Sequence, residues 1–515
     1  MQKIIKGFWF LPFISGLLCF IAICRINFIV SWIGFIPLFV SISSASAKST
    51  FKRGFLFGIA VSIPAFFWMI AGAERFTGSS IFYGIGVFLI SLVYIALFYA
   101  CLLFCFAKIK NTEQNLSAIF VNSILMASVF CVGEALLTIV STGFPWYDIH
   151  AGNGLAANDY AIQPAAYFGI HLLTFFVVLI NYLAASFFLK KEYKRLLMPV
   201  AMVLLYQLSG YLTLGKFNKI PLDSKPFKVA VLAENIAPDI KWDDNNGNAL
   251  VQRLLNLNHS ATALKPDMIL WSESAIPWTY SKDDDLVKEV LNITRPAQAQ
   301  HIMGINTAYK ANEVFNSAYS ILPDGSVMGR YDKQYLLTLI EKPLNGLLLP
   351  FFSSKGFIAR NNLQQAAPLP TLFGKAGMLI CNEAAVPAAA ANAVKQGAQF
   401  LFNISNDGWF NNTYIVRLHF YYARLRAVES RKDMAINSNN GYSGMVKASG
   451  KIMEQEKSDD PFVKLVTMQP NNIISMASSY PNLFAYGCAI YILVIGGINL
   501  FIRRKRVQRS FGQSV

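Results

Sequence analysis

Charge is scarce in this sequence: Asp, Glu, Lys and Arg make up 14% of 515 residues, against 54% hydrophobic residues and a mean hydropathy of +0.40. Soluble domains carry roughly 25% charged residues, so an ordinary soluble fold is excluded and an integral membrane protein is expected. Negative charge is the rarer sign, 29 Asp and Glu against 45 Lys and Arg, for a formal net charge of +16. Nucleic-acid binding needs basic side chains clustered on one accessible face. Here they sit mostly at the ends of apolar runs, so no nucleic-acid partner is expected. Histidine is rarer still, five in all, and no His or Cys cluster has the spacing of metal ligands; no metal and no cofactor are expected. Of Cys19, Cys24, Cys101, Cys105, Cys131, Cys381 and Cys488, all but Cys381 fall in membrane-length apolar runs. A disulfide framework is therefore not expected.

What the sequence does hold is long apolar stretches. A helix crossing the hydrocarbon core needs about 20 of them in a row, and eight candidates stand at roughly 7 to 24, 26 to 43, 54 to 72, 81 to 106, 118 to 140, 163 to 189, 197 to 214 and 483 to 502. Lys and Arg collect on the cytoplasmic side. With the N-terminus inside, that side takes Lys3, Lys6, Lys48, Lys52, Arg53, Lys108, Lys110, Lys190, Lys191, Lys194 and Arg195, then the run Arg503 to Arg509. The opposite short loops hold only Arg25 and Arg75. Both termini are thus expected in the cytoplasm, and the long polar insert lies on the far side, the periplasm of a two-membraned bacterium. The start resembles a signal peptide, but a second apolar segment precedes the small-residue run Ala45 to Ala47, so an uncleaved anchor is expected. Gly54 and Gly58 have GxxxG spacing and, like Cys101 and Cys105, are read as ordinary helix packing. Trp146 and Tyr147 of STGFPWYDIHAGNG suit interfacial anchoring or a substrate-facing role.

These boundaries divide the chain into a membrane domain (1–214), an insert (215–482), a last transmembrane helix (483–502) and a basic cytoplasmic tail (503–515). In the insert, FKVAVLA, DMILWS, HIMGI, SAYSIL, AGMLIC, AQFLFNIS, MAINS, YSGMVKA and FVKLVTM have the bias of strands, while 245–264, 283–299, 384–397 and 416–431 look helical. Many strands with interspersed helices predict a layered α/β domain. Glu273, Cys381 and the Asn406/Asp407 pair all close apolar runs, which puts them at strand tips, where α/β folds build their sites.

A free thiol has a pKa of about 8.5, and only its thiolate attacks efficiently. A neighbouring carboxylate can take its proton, and a Lys ammonium can stabilise the thiolate and the negative oxygen that develops on an attacked carbonyl. Glu273, Lys333 and Cys381 supply those three groups, which points to amide or acyl-transfer chemistry. A histidine base is less favoured, because His259, His301 and His419 sit in no comparable motif.

The order WSESAIPW, GRYDKQYLL, LICNEAAVP and ISNDGWF resembles the nitrilase (carbon-nitrogen hydrolase) superfamily. Flanked by membrane spans, it is similar to the apolipoprotein N-acyltransferase family. The resemblance implies a four-layer α-β-β-α fold and a Glu-Lys-Cys triad. It also implies transfer of an acyl chain from a phospholipid, through a cysteine thioester, to the α-amino group of a diacylated apolipoprotein. By the same resemblance Glu273 is the base, Lys333 the oxyanion stabiliser and Cys381 the nucleophile. Glu341 matches a second important glutamate, Glu383 the acid two residues after the nucleophile, and Trp409 an aromatic pocket wall. The chain departs from the family in KQYLLTLIE, which lacks the usual Pro, Phe and Gly, and in Asn382, where the family has Tyr.

Burying a methylene is worth about 0.8 kcal/mol, so drawing a sixteen-carbon chain into water costs on the order of 12 kcal/mol by the same increment. A catalytic module tethered at both ends meets such a donor at the bilayer surface. The apolar stretch 344–358 is either a lip that meets lipid or a core segment. The expected partners are a phospholipid, phosphatidylethanolamine in particular, and a diacylated apolipoprotein, with the enzyme a monomer. Two other readings stay open here: a tethered amidase or nitrilase that hydrolyses a small amide, and a catalytically silent lipoprotein-binding protein.

Overall fold

The computed structural model describes residues 9–72, 80–113, 115–221, 224–237, 240, 242–344, 358–410 and 413–512, the side chains of Trp409 and of residues 506–512 excepted. The stretch 344–358 lies almost wholly outside these residues.

Apolar helices occupy Phe10–Ile23, Ala47–Phe66, Ile81–Ile109, Leu116–Val140, Ala165–Leu189 and Leu197–Phe217, and Leu483–Gly512 is the last described element. Among the described residues five helices are long and apolar enough to cross a membrane: Ile81–Ile109, Leu116–Val140, Ala165–Leu189, Tyr193–Phe217 and Leu483–Lys505. Of the eight candidate stretches, five are met by these helices. Phe10–Ile23 has only 14 residues, too few for about 30 Å of hydrocarbon. The expected span from 26 to 43 is broken into Phe28–Ser31 and Ile36–Ile42. Asn181, from the helix Ala165–Leu189, holds the break open. Its side chain accepts from the Phe35 N–H at 3.0 Å and donates to the Ser31 carbonyl at 3.0 Å, satisfying backbone groups that apolar surroundings would otherwise leave unpaired. The expected span from 54 to 72 starts instead at Ala47 and carries Lys48, Lys52 and Arg53 in its first turns.

Gly54 and Gly58 seat Ala47–Phe66 against Ile81–Ile109 within the chain. A Cβ on Gly58 would stand 2.5 Å from the Ala96 Cα, and one on Gly54 2.8 Å from the Tyr99 carbonyl. Cys101 and Cys105 are exposed on the same long helix, so their expected packing role is corrected.

Residues 227–468 form two sheets. The nine-stranded sheet runs Phe462–Met468, Phe227–Ala233, Met268–Leu270, Gln300–Lys310, Glu313–Phe315, Ile358–Ala359; Ile276–Thr279 and Ser317–Ile321 also pair with Gln300–Lys310, and Val327–Asp332 pairs with Ser317–Ile321. The six-stranded sheet runs Ile452–Glu456, Ser443–Val446, Met434–Asn439, Phe400–Asn406, Gly374–Ile380, Leu369–Thr371. Parallel strands lie at the heart of each, with Val229 opposite Met268 and Met268 opposite Gln300 in one, and Ile380 opposite Ile404 and Ile404 opposite Asn437 in the other. Such strands are covered on both faces and read as near-continuous apolar runs.

The sheets face each other across one core, where Val229, Val231 and Leu270 meet Met378, Ile380 and Phe402. On the outer face of the first, Leu254 and Ala261 of the helix Gly247–Ala263 and Val290 of Asp285–Thr294 pack on Ile269 and Trp271. On the outer face of the second, Ala390 of Pro387–Lys395 and Ala423 of Tyr414–Ser430 join a cluster continuous with the membrane helices. The layers are α-β-β-α, as expected. Helix Tyr414–Ser430 is the keel of the assembly: its Tyr422 hydroxyl donates to the Asp148 carbonyl at 2.6 Å and Arg424 Nη1 to the Ala156 carbonyl at 2.7 Å.

Candidate active site

The site is built where strands of both sheets end. Glu273 follows Met268–Leu270 by three residues, and Lys333 directly follows Val327–Asp332. Cys381 directly follows Gly374–Ile380, and Asn406 closes Phe400–Asn406. The polar partners of Glu273 come from both sheets: Lys333 and Asn316 beside it, and the Asn406 N–H from the facing sheet.

Lys333 is 1% exposed, with its Nζ 3.3 Å from Glu273 Oε1 and 3.0 Å from Glu341 Oε1. Asn316 Nδ2 donates to the same two oxygens, at 2.7 and 3.1 Å. The Asn406 N–H donates to Glu273 Oε2 at 3.0 Å and the Leu337 N–H to Glu341 Oε2 at 2.7 Å. All four carboxylate oxygens therefore have a donor, which is what lets two acids and an amine be buried together. Burial alone would lower the Lys333 pKa, but Glu273, Glu341 and the Cys381 thiol outweigh it and raise it, so the amine stays protonated. The residues after Lys333 are not a strand, as their apolar run suggests. They form a tight turn, with the Glu341 N–H on the Leu337 carbonyl at 2.9 Å, that returns Glu341 to the lysine.

Cys381 opens a 3-10 turn with φ +54, the left-handed region, where a non-glycine residue costs roughly 1–3 kcal/mol. The bend turns the thiol out of the strand direction. Burial and Glu273 push the thiol pKa well up; Lys333 pulls it down, and Asp407 and Glu341 push it further up. The sulfur is thus pushed towards its protonated form, with the acids and amine that act on it close by.

Glu383 does different work. Its carboxylate accepts from the N–H groups of Ile380 (2.7 Å), Gln334 (2.7 Å) and Tyr335 (3.1 Å) and from the Tyr331 hydroxyl (3.0 Å). It clasps the exit of the Lys333 strand to the Cys381 turn. Burial raises its pKa to about 7 against the pull of those N–H groups and Lys333. Asn382 donates from Nδ2 to the Tyr335 carbonyl at 2.8 Å, a second stitch between the same segments. Asn406 Oδ1 accepts from Asn439 Nδ2 at 3.0 Å, and Asp407 Oδ1 lies 2.8 Å from His419 Nδ1. Trp409 stands in the turn Asp407–Phe410, but its side chain lies outside the described residues.

Sequence profiles of two families match this chain. The Apolipoprotein N-acyltransferase N-terminal domain covers residues 15–183, and Carbon-nitrogen hydrolase covers residues 228–476. Similar curated proteins include an apolipoprotein N-acyltransferase of Geobacter metallireducens, 26% identical over 93% of this chain and 92% of its own length. Another, from Haemophilus influenzae, is 25% identical over 96% of each. The chain is thus similar to apolipoprotein N-acyltransferases over nearly its whole length. It is a membrane protein by its apolar helices and these relatives.

Cys381 lines a hollow of about 40 Å³ together with Asn382, Trp146, Leu337, Phe410 and His419 among others. Trp146 is also a wall of a far larger apolar cavity, about 740 Å³, between Phe82, Val87, Tyr94, Phe144 and Leu339. Phe82, Ile90 and Val140, which line it too, are exposed apolar side chains on membrane-length helices. Of the two roles open to Trp146 and Tyr147, both residues sit on this cavity, and the Tyr147 hydroxyl is 2.7 Å from Ser91 Oγ.

Asn316, Tyr331 and His419 were not singled out as site residues by sequence. Asn316 lies between two strands and Tyr331 within Val327–Asp332, and only the fold shows that their polar tips meet Glu273 and Glu383. Spacing also hid one cluster: Glu134, His150 and His171 bring their ligand atoms within 4.8 Å of one another, all buried. Glu134 there already receives His150 Nδ1 at 3.1 Å, the Ala151 N–H at 2.8 Å and the Thr174 hydroxyl at 2.7 Å, so its oxygens are filled by protein donors.

Proposed function

We propose that this protein transfers a fatty acyl chain from a phospholipid, through a thioester on Cys381, to the α-amino group of a diacylglyceryl-cysteine at the N-terminus of an apolipoprotein. The observation that carries the reading is the wall shared by two spaces: a buried acid-amine cage around a cysteine on one side, and an apolar cavity between membrane helices on the other. Relatives bearing the apolipoprotein N-acyltransferase name along nearly the whole chain support it.

Glu273 takes the thiol proton as sulfur attacks the donor's ester carbonyl, and the carbonyl electron pair moves onto oxygen beside the Lys333 ammonium. Collapse of this intermediate restores the carbonyl and breaks the ester C–O bond. The leaving lysophospholipid oxygen recovers the proton from Glu273. In the second half the acceptor amine attacks the thioester, Glu273 receives the amine proton, and the C–S bond breaks to return the thiol. Glu341 and Asn316 hold Lys333 and Glu273 in register, and Glu383 fixes the turn that carries the nucleophile. One nucleophile serving two substrates implies ping-pong kinetics.

The donor is taken to be phosphatidylethanolamine and the working unit a monomer. Residues 1–214 and 483–502 form the anchor, 503–515 a basic cytoplasmic tail, and 215–482 the catalytic module, facing the periplasm. Three basic segment ends share one side: Arg503 donates to the carbonyls of Lys108 and Lys110, and Lys110 Nζ to the Ser43 carbonyl. The positive-inside tendency supports assigning that side to the cytoplasm, along with both termini.

Purified protein given phosphatidylethanolamine is expected to gain a long-chain, hydroxylamine-sensitive acyl group on Cys381, and then to convert a diacylated lipopeptide to a triacylated one. Mass spectrometry reads both. Failure of Cys381→Ala to abolish the adduct, or a short-chain adduct discharged only by water, would replace this reading with the amidase one.

A further inference from the structure

The imidazole of His419 lies between two acceptors. Its Nδ1 is 2.8 Å from Asp407 Oδ1 and its Nε2 is 2.7 Å from the Cys381 carbonyl oxygen. A carbonyl can only accept, so Nε2 carries a proton; an ionised Asp407 can only accept, so Nδ1 carries one too. We propose that His419 is an imidazolium positioning residue whose two protons tie Asp407 to the Cys381 carbonyl and so fix the left-handed backbone from which the thiol is presented. Asn403 Nδ2 assists at 3.3 Å from the same carbonyl. Because the Cys381–Asn382 peptide is trans, anchoring its carbonyl turns the Asn382 N–H the opposite way. One ring thereby sets the direction of the thiol's backbone and of the next donor.

The His419 side chain is 10% exposed. The ionisable groups around it are Asp407, Glu273, the Cys381 thiol with Lys333 beyond it, and Tyr414 and Tyr422 along the hollow. Burial opposes its charge, and Asp407, the Cys381 carbonyl and Glu273 outweigh burial and raise its pKa. Losing the Nε2 proton would set a lone pair against the carbonyl oxygen, releasing the strained turn.

The importance of the turn for catalysis rests on Cys381 being the nucleophile; the protonation state does not. Full-length protein in detergent, labelled with ring-15N histidine, contains five histidines, and His419→Gln identifies the signal. The expected result is a ring protonated on both nitrogens at pH 7, with a midpoint that moves to lower pH in Asp407→Asn. A neutral ring at pH 7 in the unmutated protein overturns the proposal whether or not any thioester forms. In single-turnover thioester formation from phosphatidylethanolamine, His419→Leu is expected to be at least tenfold slower at unchanged donor KM. His419→Gln, which keeps a donor near the Nε2 position, is expected to recover part of that loss. A Gln variant that melts like the unmutated protein yet is as slow as Leu overturns the positioning role. A wild-type protein that forms no thioester refutes the proposed function and leaves the spectroscopic result standing.

Discussion

The hollow beside Cys381 and the cavity beyond Trp146 share a wall but are made in opposite ways. Around the thiol, every carboxylate oxygen of Glu273 and Glu341 has a donor, and a change in one group strands another in low dielectric. Around the large cavity, apolar side chains from three helices and two loops leave a space that no single residue defines. The first is specified by direction and charge, the second by volume. The proposed chemistry thus rests on a few irreplaceable side chains, while the larger space tolerates change by degrees.

The sharpest way to break that contrast is Lys333→Met. It leaves two buried carboxylates facing each other without a cation, and breaking such a pair costs about 3–5 kcal/mol. Loss of acyl adduct by a factor of a thousand or more and a clear drop in melting temperature are expected; adduct formation within tenfold of the parent would contradict the cage. On the apolar side, Gly86 lines the large cavity with open space beyond its Cα. Gly86→Phe is expected to shift donor preference toward shorter acyl chains by about tenfold in competition assays. It should not lower stability, since a mid-helix glycine is itself worse than alanine by roughly 0.5–1 kcal/mol.

A third test is pH. Glu383 and Glu234 both have pKa values raised to about 7, chiefly by burial. The folded protein then holds protons that the unfolded chain releases, so this stability is full below about pH 4.3 and is lost as pH rises toward 7. Each contributes on the order of 3 kcal/mol to that decline. Urea or thermal unfolding between pH 5 and 7 should show a negative slope that flattens in the Glu234→Gln, Glu383→Gln double variant; an unchanged slope would show that other groups carry it. The smallest effect is expected of Tyr422→Phe. It removes one hydrogen bond between the catalytic module and the loop at Asp148, worth about 1 kcal/mol, without altering acyl-chain preference.

The same contrast governs how much could be read from the sequence. Glu273, Cys381 and Asn406 were legible because each ends an apolar run, and a strand that stops at a polar residue presents it at a sheet edge. Nine strand runs were legible for the same reason. Ile452–Glu456 was not, since IMEQE is a half-exposed strand at the end of its sheet with no apolar face to announce it. Asn316 and His419 were invisible as site residues because their partners come from other segments: Glu273 lies 43 residues from Asn316, and the Cys381 carbonyl lies 38 residues from His419. The large cavity has no linear signature at all. The apolar run from 26 to 43 misled outright, because hydropathy registers side chains and not the interrupted backbone beneath them.

That interruption bears on how the protein is made. Phe35 and Ser31 find their partner in Asn181, 146 and 150 residues further on. During synthesis the break between Phe28–Ser31 and Ile36–Ile42, within this early hairpin, has no Asn181 side chain to pair with the Phe35 N–H and the Ser31 carbonyl until the helix Ala165–Leu189 has been made. A chain truncated before residue 181 should therefore leave the hairpin open to cellular quality control, however apolar its segments are.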